Sequence, residues 1–260
     1  MKAILFDLDD TLLWDKKSVD EAFAAACSVA ADRFGLHPEV LEKNVRQNAR
    51  DLYASYEIYE FTQMIGINPF EALWGDFNDE GEEFRELANI APTYRMEAWT
   101  RGLRDTGIDN QALGRDLAET FRRARREKAF VFSDTFRALE TLEREFRLAL
   151  LTNGSPDLQE TKLDMTPELR PYFEHIIISG AFGKGKPDPA IFTHALSRMK
   201  VHKEEALMVG DNLKTDILGA ERAGIPSAWV NRRGEESGVI EPTYTIKSLD
   251  ELPLLIERMS

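Results

Sequence analysis

Ile4-Leu5-Phe6-Asp7-Leu8-Asp9-Asp10-Thr11 is a short apolar run that ends in two carboxylates placed two positions apart. In an extended strand, residues i and i+2 point to the same face, so Asp7 and Asp9 can address one group at the strand's carboxyl end. Two crowded acids are tolerated where a cation lies between them or where one of them holds a proton. Their oxygen donors suit a hard ion such as Mg2+. An Asp-rich turn after a strand would give the same residues without any chemistry, so the rest of the chain has to decide between the two.

Apolar runs suited to buried parallel strands occur at 2–7, 147–151, 175–179, 205–209 and 227–230, and those after residue 140 alternate with helical patterns. The expected fold is therefore α/β, a Rossmann-like parallel sheet with helices on both faces. Between the first run and the second there is no comparable strand. We expect an inserted all-α domain at 15–130, a bundle of four or five helices, with the α/β core built from 1–14 and 131–260. Within the insertion, Ser18-Val19-Asp20-Glu21 reads as a capping box and Gly35 as the stop of the first helix. Pro38 opens a second pattern that continues towards Gly66, Asn68 caps another start, and further helical patterns lie near 93–104 and 110–128. Cys27, Tyr53, Tyr56, Tyr59, Trp74 and Trp99 read as packing residues. The acidic Asp79-Glu80-Gly81-Glu82-Glu83 and the basic Arg122-Arg123-Ala124-Arg125-Arg126 read as solvated faces.

The 260 residues carry a formal charge of -13, which argues against nucleic acid or a membrane surface as partner. An anionic substrate would have to be drawn by a local metal and a lysine. Cys27 is the sole cysteine, so an internal disulfide and a multi-thiolate zinc site are excluded. The chain has no apolar stretch of membrane-spanning length. We expect a cytoplasmic protein with no obligatory protein partner.

Three more segments bear polar groups at strand ends. Leu148-Ala149-Leu150-Leu151 runs into Thr152-Asn153-Gly154-Ser155-Pro156, a turn whose hydroxyl, amide and backbone N–H groups can cradle a phosphate. Gly183-Lys184-Gly185-Lys186-Pro187-Asp188-Pro189 delivers lysine ahead of a helix, and Lys186 is better placed than Lys184 because the following proline stiffens the backbone. The segment lacks the spacing of a nucleotide-binding P-loop. In Leu207-Met208-Val209-Gly210-Asp211, a strand ends in an acid positioned to complete a metal site with Asp7, while Asp216 would hold the loop or a metal-bound water. Four such loops coincide by accident far less readily than one, and the carboxyl edge of an open α/β sheet is where ligands bind.

Across essentially its whole length the sequence resembles the haloacid dehalogenase-like hydrolase superfamily, in Asp7-Leu8-Asp9-Asp10-Thr11, Thr152, Lys186-Pro187 and Gly210-Asp211 with Asp216. The resemblance implies that Asp7 is the nucleophile and Asp9 the general acid and base. Thr152 and Lys186 would hold the phosphoryl group, and Asp211 would join Asp7 and the Asp9 backbone carbonyl on Mg2+. The insertion would be the helical cap of that family, opening and closing through segments near 13–17 and 128–134. Members that cleave carbon–halogen or carbon–phosphorus bonds lack an acid at the position of Asp9, so its presence implies a phosphate ester. Asp10, where many relatives have glycine, is assigned no catalytic role. The expected activity is hydrolysis of a small phosphorylated metabolite, with O-phospho-L-serine as the single best substrate. A sugar-phosphate mutase, a nucleoside monophosphate phosphatase and a catalytically idle phosphometabolite-binding protein stand as alternatives.

Overall fold

The computed structural model describes residues 1–259. Six strands, β1 (Ala3–Phe6), β2 (Arg147–Thr152), β3 (His175–Ile178), β4 (Ala206–Gly210), β5 (Ser227–Val230) and β6 (Tyr244–Ile246), form one sheet in the order β3-β2-β1-β4-β5-β6. Every pairing is parallel. The α/β expectation holds. Odd-numbered β1 residues Ala3 and Leu5 pack with Ala149, Leu151 and Met208 against the helices Pro189–Met199 and Leu218–Ala223. Ile4 and Phe6, of opposite parity, are equally buried, and Phe6 meets Phe173 edge to face. A strand buried on both faces reads as a continuous apolar run, which is why these strands were visible in the sequence. β6 was not, because only three residues pair and of them only Ile246 is buried.

Register sets the site. Phe6 lies beside Leu150 on one side and Val209 on the other, so Asp7, Thr152 and Gly210 emerge at the same edge. Strand order reverses at β1, between β2 and β4, and such a switch point opens a crevice at the carboxyl ends.

The chain divides into two compact units, residues 1–14, 131–154 and 166–260 in one and residues 15–130 with 155–165 in the other. The sequence reading placed 155–165 in the core. The helix Pro156–Asp164 instead folds with the helical unit because Leu158 is buried in that unit's apolar cluster. Lys162 also pairs at 2.8 Å with Glu71, both side chains being almost wholly buried. Its N-terminus is fixed within the same unit: Ser155 caps Leu158 N–H, and the Asp79 carboxylate accepts from Ser155 Oγ at 2.5 Å and Asp157 N–H at 2.7 Å.

The remaining helices of this unit span Asp15–Phe34, Pro38–Ala54, Tyr59–Ile65, Pro69–Ala72, Glu82–Arg104 and Gln111–Glu127. Gly35 and Gly66 follow their helices with positive φ, and Asn68 forms a capping box with Glu71. Ser18 does not cap the first helix. It lies inside it and donates to Lys128 O at 2.8 Å, while Asp15 occupies the first turn, where the helix dipole favours an acid. The helix expected from residue 93 starts at Glu82 and runs through Pro92. A proline removes one backbone bond, but a continuous buried stripe of Phe84, Leu87, Ala91, Tyr94 and Ala98 carries the helix across it. Cys27, Tyr53, Trp74 and Trp99 are core residues, with Tyr56 and Tyr59 packed at its margin.

The arginine stretch is not a solvated face. Arg125 is buried and pairs with Asp15 while its guanidinium lies 4.5 Å from the centre of the Trp74 ring, and Arg122 and Arg126 both bind Asp76. Helical periodicity shows which residues share a face, but not whether a distant carboxylate waits opposite it. Leu158→Ala should destabilise the protein by about 2–5 kcal/mol, and hydrogen exchange should report the loss in the helices of 15–130; a loss confined to the sheet would contradict the assignment of this helix.

Candidate active site

A buried ammonium organises the edge of the sheet. Lys186 Nζ donates to Asp7 Oδ1 at 2.7 Å and to Leu151 O at 2.7 Å, and stands 2.8 Å from Asp216 Oδ1. Three acceptors match its three N–H bonds. Burial alone would lower the lysine's pKa, but the charges of Asp216 and Asp7 outweigh it and raise it, so the group stays protonated. Lys184, the rival, is half exposed and turns to Asp188.

The backbone of Lys186 is clamped by Asn153, whose amide oxygen accepts Lys186 N–H at 2.8 Å and whose amide nitrogen donates to Lys186 O at 2.9 Å. Both ends of the Asn153 side chain are thus engaged with the Lys186 backbone. Thr152 ends β2 and is buried.

Asp7, Asp211 and Asp216 bring one carboxylate oxygen each within 4.8 Å of one another. Burial raises the Asp7 carboxyl from 3.8 to about 7, with Asp216 and Asp9 adding to the rise and Lys186 opposing it. Burial also raises Asp211, to about 9, with Asp7, Asp216 and Asp10 adding to the rise. One lysine does not balance three acids. A hard divalent ion fits this donor set. Asp216 is already committed to Lys186 and, through Oδ2, to Asn212 N–H at 3.0 Å. Gly210 is required there, since a Cβ on it would lie 2.2 Å from Asp216 Oδ2. The Asp9 carboxylate is outside the three-acid group, although its charge is felt at Asp7. Asp10 adopts φ 59°, a left-handed conformation that aspartate tolerates better than most residues.

Sequence reasoning gave Thr11 no role. Its Oγ1 lies 3.1 Å from Asp7 Oδ2 and 3.4 Å from Asp211 Oδ1, and accepts Asp211 N–H at 3.0 Å. The hydroxyl therefore links the two acids, and its place four residues after Asp7 was the available signal. Trp229 Nε1 donates to Asp211 O at 2.7 Å. Arg232 forks onto Asp134 at 2.8 and 3.1 Å and donates to Thr11 O at 3.0 Å. Burial would raise the Asp134 carboxyl, but Arg232, Ser248 and the Leu249 N–H hold it low. No local pattern joins Asp134 to Arg232.

The family model for haloacid dehalogenase-like hydrolases matches residues 1–224. The chain belongs to that family. The phosphoserine phosphatase of Thermus thermophilus is 38% identical over 236 residues, 89% of each chain. The pyrimidine 5'-nucleotidase YjjG of Escherichia coli is 30% identical and covers 79% of this chain and 86% of its own. Mouse N-acylneuraminate-9-phosphatase is 31% identical, over 68% of this chain and 73% of its own. The crystal structure of a 2-haloacid dehalogenase from Pseudomonas syringae superposes with a TM-score of 0.62 at 25% identity, over the whole of both chains. The chain stands in the phosphatase branch of the family and is a phosphoric monoester hydrolase. Among the described residues no helix is long and apolar enough to cross a membrane.

Because Asp7 and Asp211 bind protons more tightly folded than unfolded, their contribution to stability is full below the unfolded value of 3.8 and is lost as pH rises through about 7 and 9. Melting temperatures in EDTA should accordingly fall between pH 5 and pH 9, and Mg2+ should flatten the slope; equal slopes with and without the ion would show that these acids hold none.

Proposed function

We propose that the protein hydrolyses a small-molecule phosphate monoester in two steps through a phosphorylated Asp7. The observation that carries this reading is the seating of Asp7 against Lys186 at the switch point, beside Thr152 and Asp211. A carboxylate oxygen of Asp7 forms the new bond to phosphorus as the ester P–O bond breaks, and Asp9 gives its proton to the departing alkoxide. Asp9, now ionised, takes a proton from water as that water attacks phosphorus, releasing phosphate and restoring Asp7. Atoms and protons balance with water as the only co-reactant.

Lys186 sets positive charge where the equatorial oxygens gather negative charge, and Thr152 and the backbone N–H groups after it add donors. Mg2+ held by Asp7, Asp211 and the Asp9 backbone carbonyl would supply further charge neutralisation at the phosphoryl oxygens. Enzymes accelerate phosphate-monoester hydrolysis by up to about 10^21-fold, whereas proton transfer contributes about 10^2- to 10^4-fold. Electrostatic stabilisation and positioning therefore carry most of the rate. Asp216 serves by fixing Lys186 and the Asn212 turn.

In this reading the helical unit is the cap that selects the substrate. O-phospho-L-serine is our best single substrate, supported by the Thermus relative's name and its 89% coverage of both chains. Asp7→Asn should abolish phosphate release while leaving the protein folded, and EDTA should silence the wild type until Mg2+ is restored. Full turnover by Asp7→Asn would refute the nucleophile. A screen of phosphorylated metabolites that measures free phosphate should favour phosphoserine; formation of an isomeric phosphate in its place would favour a mutase.

A further inference from the structure

Two side chains at the end of β5 reach across to the loops that carry the acids. Trp229 lies beside Gly210 in the parallel register of β4 and β5, and its indole Nε1 donates to the carbonyl of the next residue, Asp211, at 2.7 Å. Beyond the strand, Arg232 Nη2 donates to Thr11 O at 3.0 Å. The residues that accept these bonds are themselves joined, because Thr11 Oγ1 accepts Asp211 N–H at 3.0 Å and lies 3.1 Å from Asp7 Oδ2. The loops bearing Asp7 and Asp211 are therefore linked by one hydroxyl and both tied to one strand end.

Both donors are held firmly. Trp229 is buried. The Arg232 guanidinium forks onto Asp134 at 2.8 and 3.1 Å and lies 3.8 Å from the centre of the Phe132 ring. Asp134 is buried and also accepts Ser248 Oγ at 2.7 Å and Leu249 N–H at 2.9 Å, which fixes the carboxylate that the arginine meets. The turn carrying the arginine is closed by Asn231, whose amide donates to Glu235 O at 2.8 Å and accepts Glu235 N–H at 2.9 Å. The fork onto Asp134 already balances the charge of Arg232. Its further bond to Thr11 O adds nothing to that pairing; it fixes the residue that follows Asp10, where the backbone turns through a left-handed φ of 59°. Mg2+ accepts little departure from octahedral geometry, and groups that orient its ligands commonly change metal affinity.

We infer that Trp229 and Arg232 are positioning residues for a divalent ion: by holding the Asp211 and Thr11 carbonyls, they set the spacing between the Asp7 and Asp211 carboxylates. This rests on the Mg2+-dependent reading above and extends the site to a strand that none of the four motif segments includes.

Mg2+ titration calorimetry without any phosphate ester, at one temperature well below melting, measures the affinity of the folded protein. Trp229→Phe keeps an aromatic ring and deletes the N–H; it should weaken Mg2+ binding by about 3- to 10-fold, the range for one neutral hydrogen bond. Arg232→Gln loses a charged donor and should weaken it by at least as much. Val230, buried between them in sequence, is the control: Val230→Ala should lower the melting temperature and leave the Mg2+ affinity at the wild-type value. Unchanged affinity in Trp229→Phe, or an equal loss in Val230→Ala, would overturn the inference and leave the two side chains a role in stability alone. Should Arg232→Gln fail to fold, Trp229→Phe decides by itself. A wild type that bound no Mg2+ would instead sink the metal reading, and this inference with it.

Discussion

The buried ammonium of Lys186 is the constraint on which the site depends. A charge in that position must be paired, and its three partners come from three strands or the loops that follow them: Asp7 after β1, Leu151 O in β2 and Asp216 after β4. Removing one partner of a buried pair typically costs about 3–5 kcal/mol because the other charge is left uncompensated. The loops are thus held in mutual register by the group that, in the reaction proposed above, meets the phosphoryl oxygens. Asn153 clamps the lysine's backbone, and Gly210 leaves room for Asp216 to reach it.

The same site keeps more negative charge than the lysine can neutralise. Burial and mutual repulsion push Asp7 and Asp211 towards their protonated forms, a strain that a bound cation would remove while returning Asp7 to the ionised form that its proposed role as nucleophile needs. Attraction for an anionic substrate must then be local, since the chain as a whole carries -13.

Much of this was legible before any coordinates. β1 to β5 showed as apolar runs because both of their faces are buried, and the strand-end acids, Thr152 and Lys186 stood out because polar groups there have no packing reason to exist. β6 was too short to leave a pattern. Thr11 sat inside a recognised stretch without a role, because a hydroxyl's partners depend on where Asp211 arrives from the far end of the chain. The first helix began three residues before its apparent capping box, as Ser18 found a better acceptor in Lys128 O. The helical pattern expected near 93–104 starts earlier, at Glu82, because tertiary packing carries the helix through Pro92.

The sequence by itself determined the parallel α/β architecture, the place of the helical insertion and the polar side chains that gather at the sheet edge. These follow from hydrophobic period, turn chemistry and residue type, all of them local properties. Only the tertiary structure decided that the helix Pro156–Asp164 folds with the insertion, that Arg232 and Asp134 brace Thr11, and that Arg122 and Arg126 bind Asp76. Each of these joins groups distant along the chain, and a charge or an apolar face carries no local mark of the partner that will bury it.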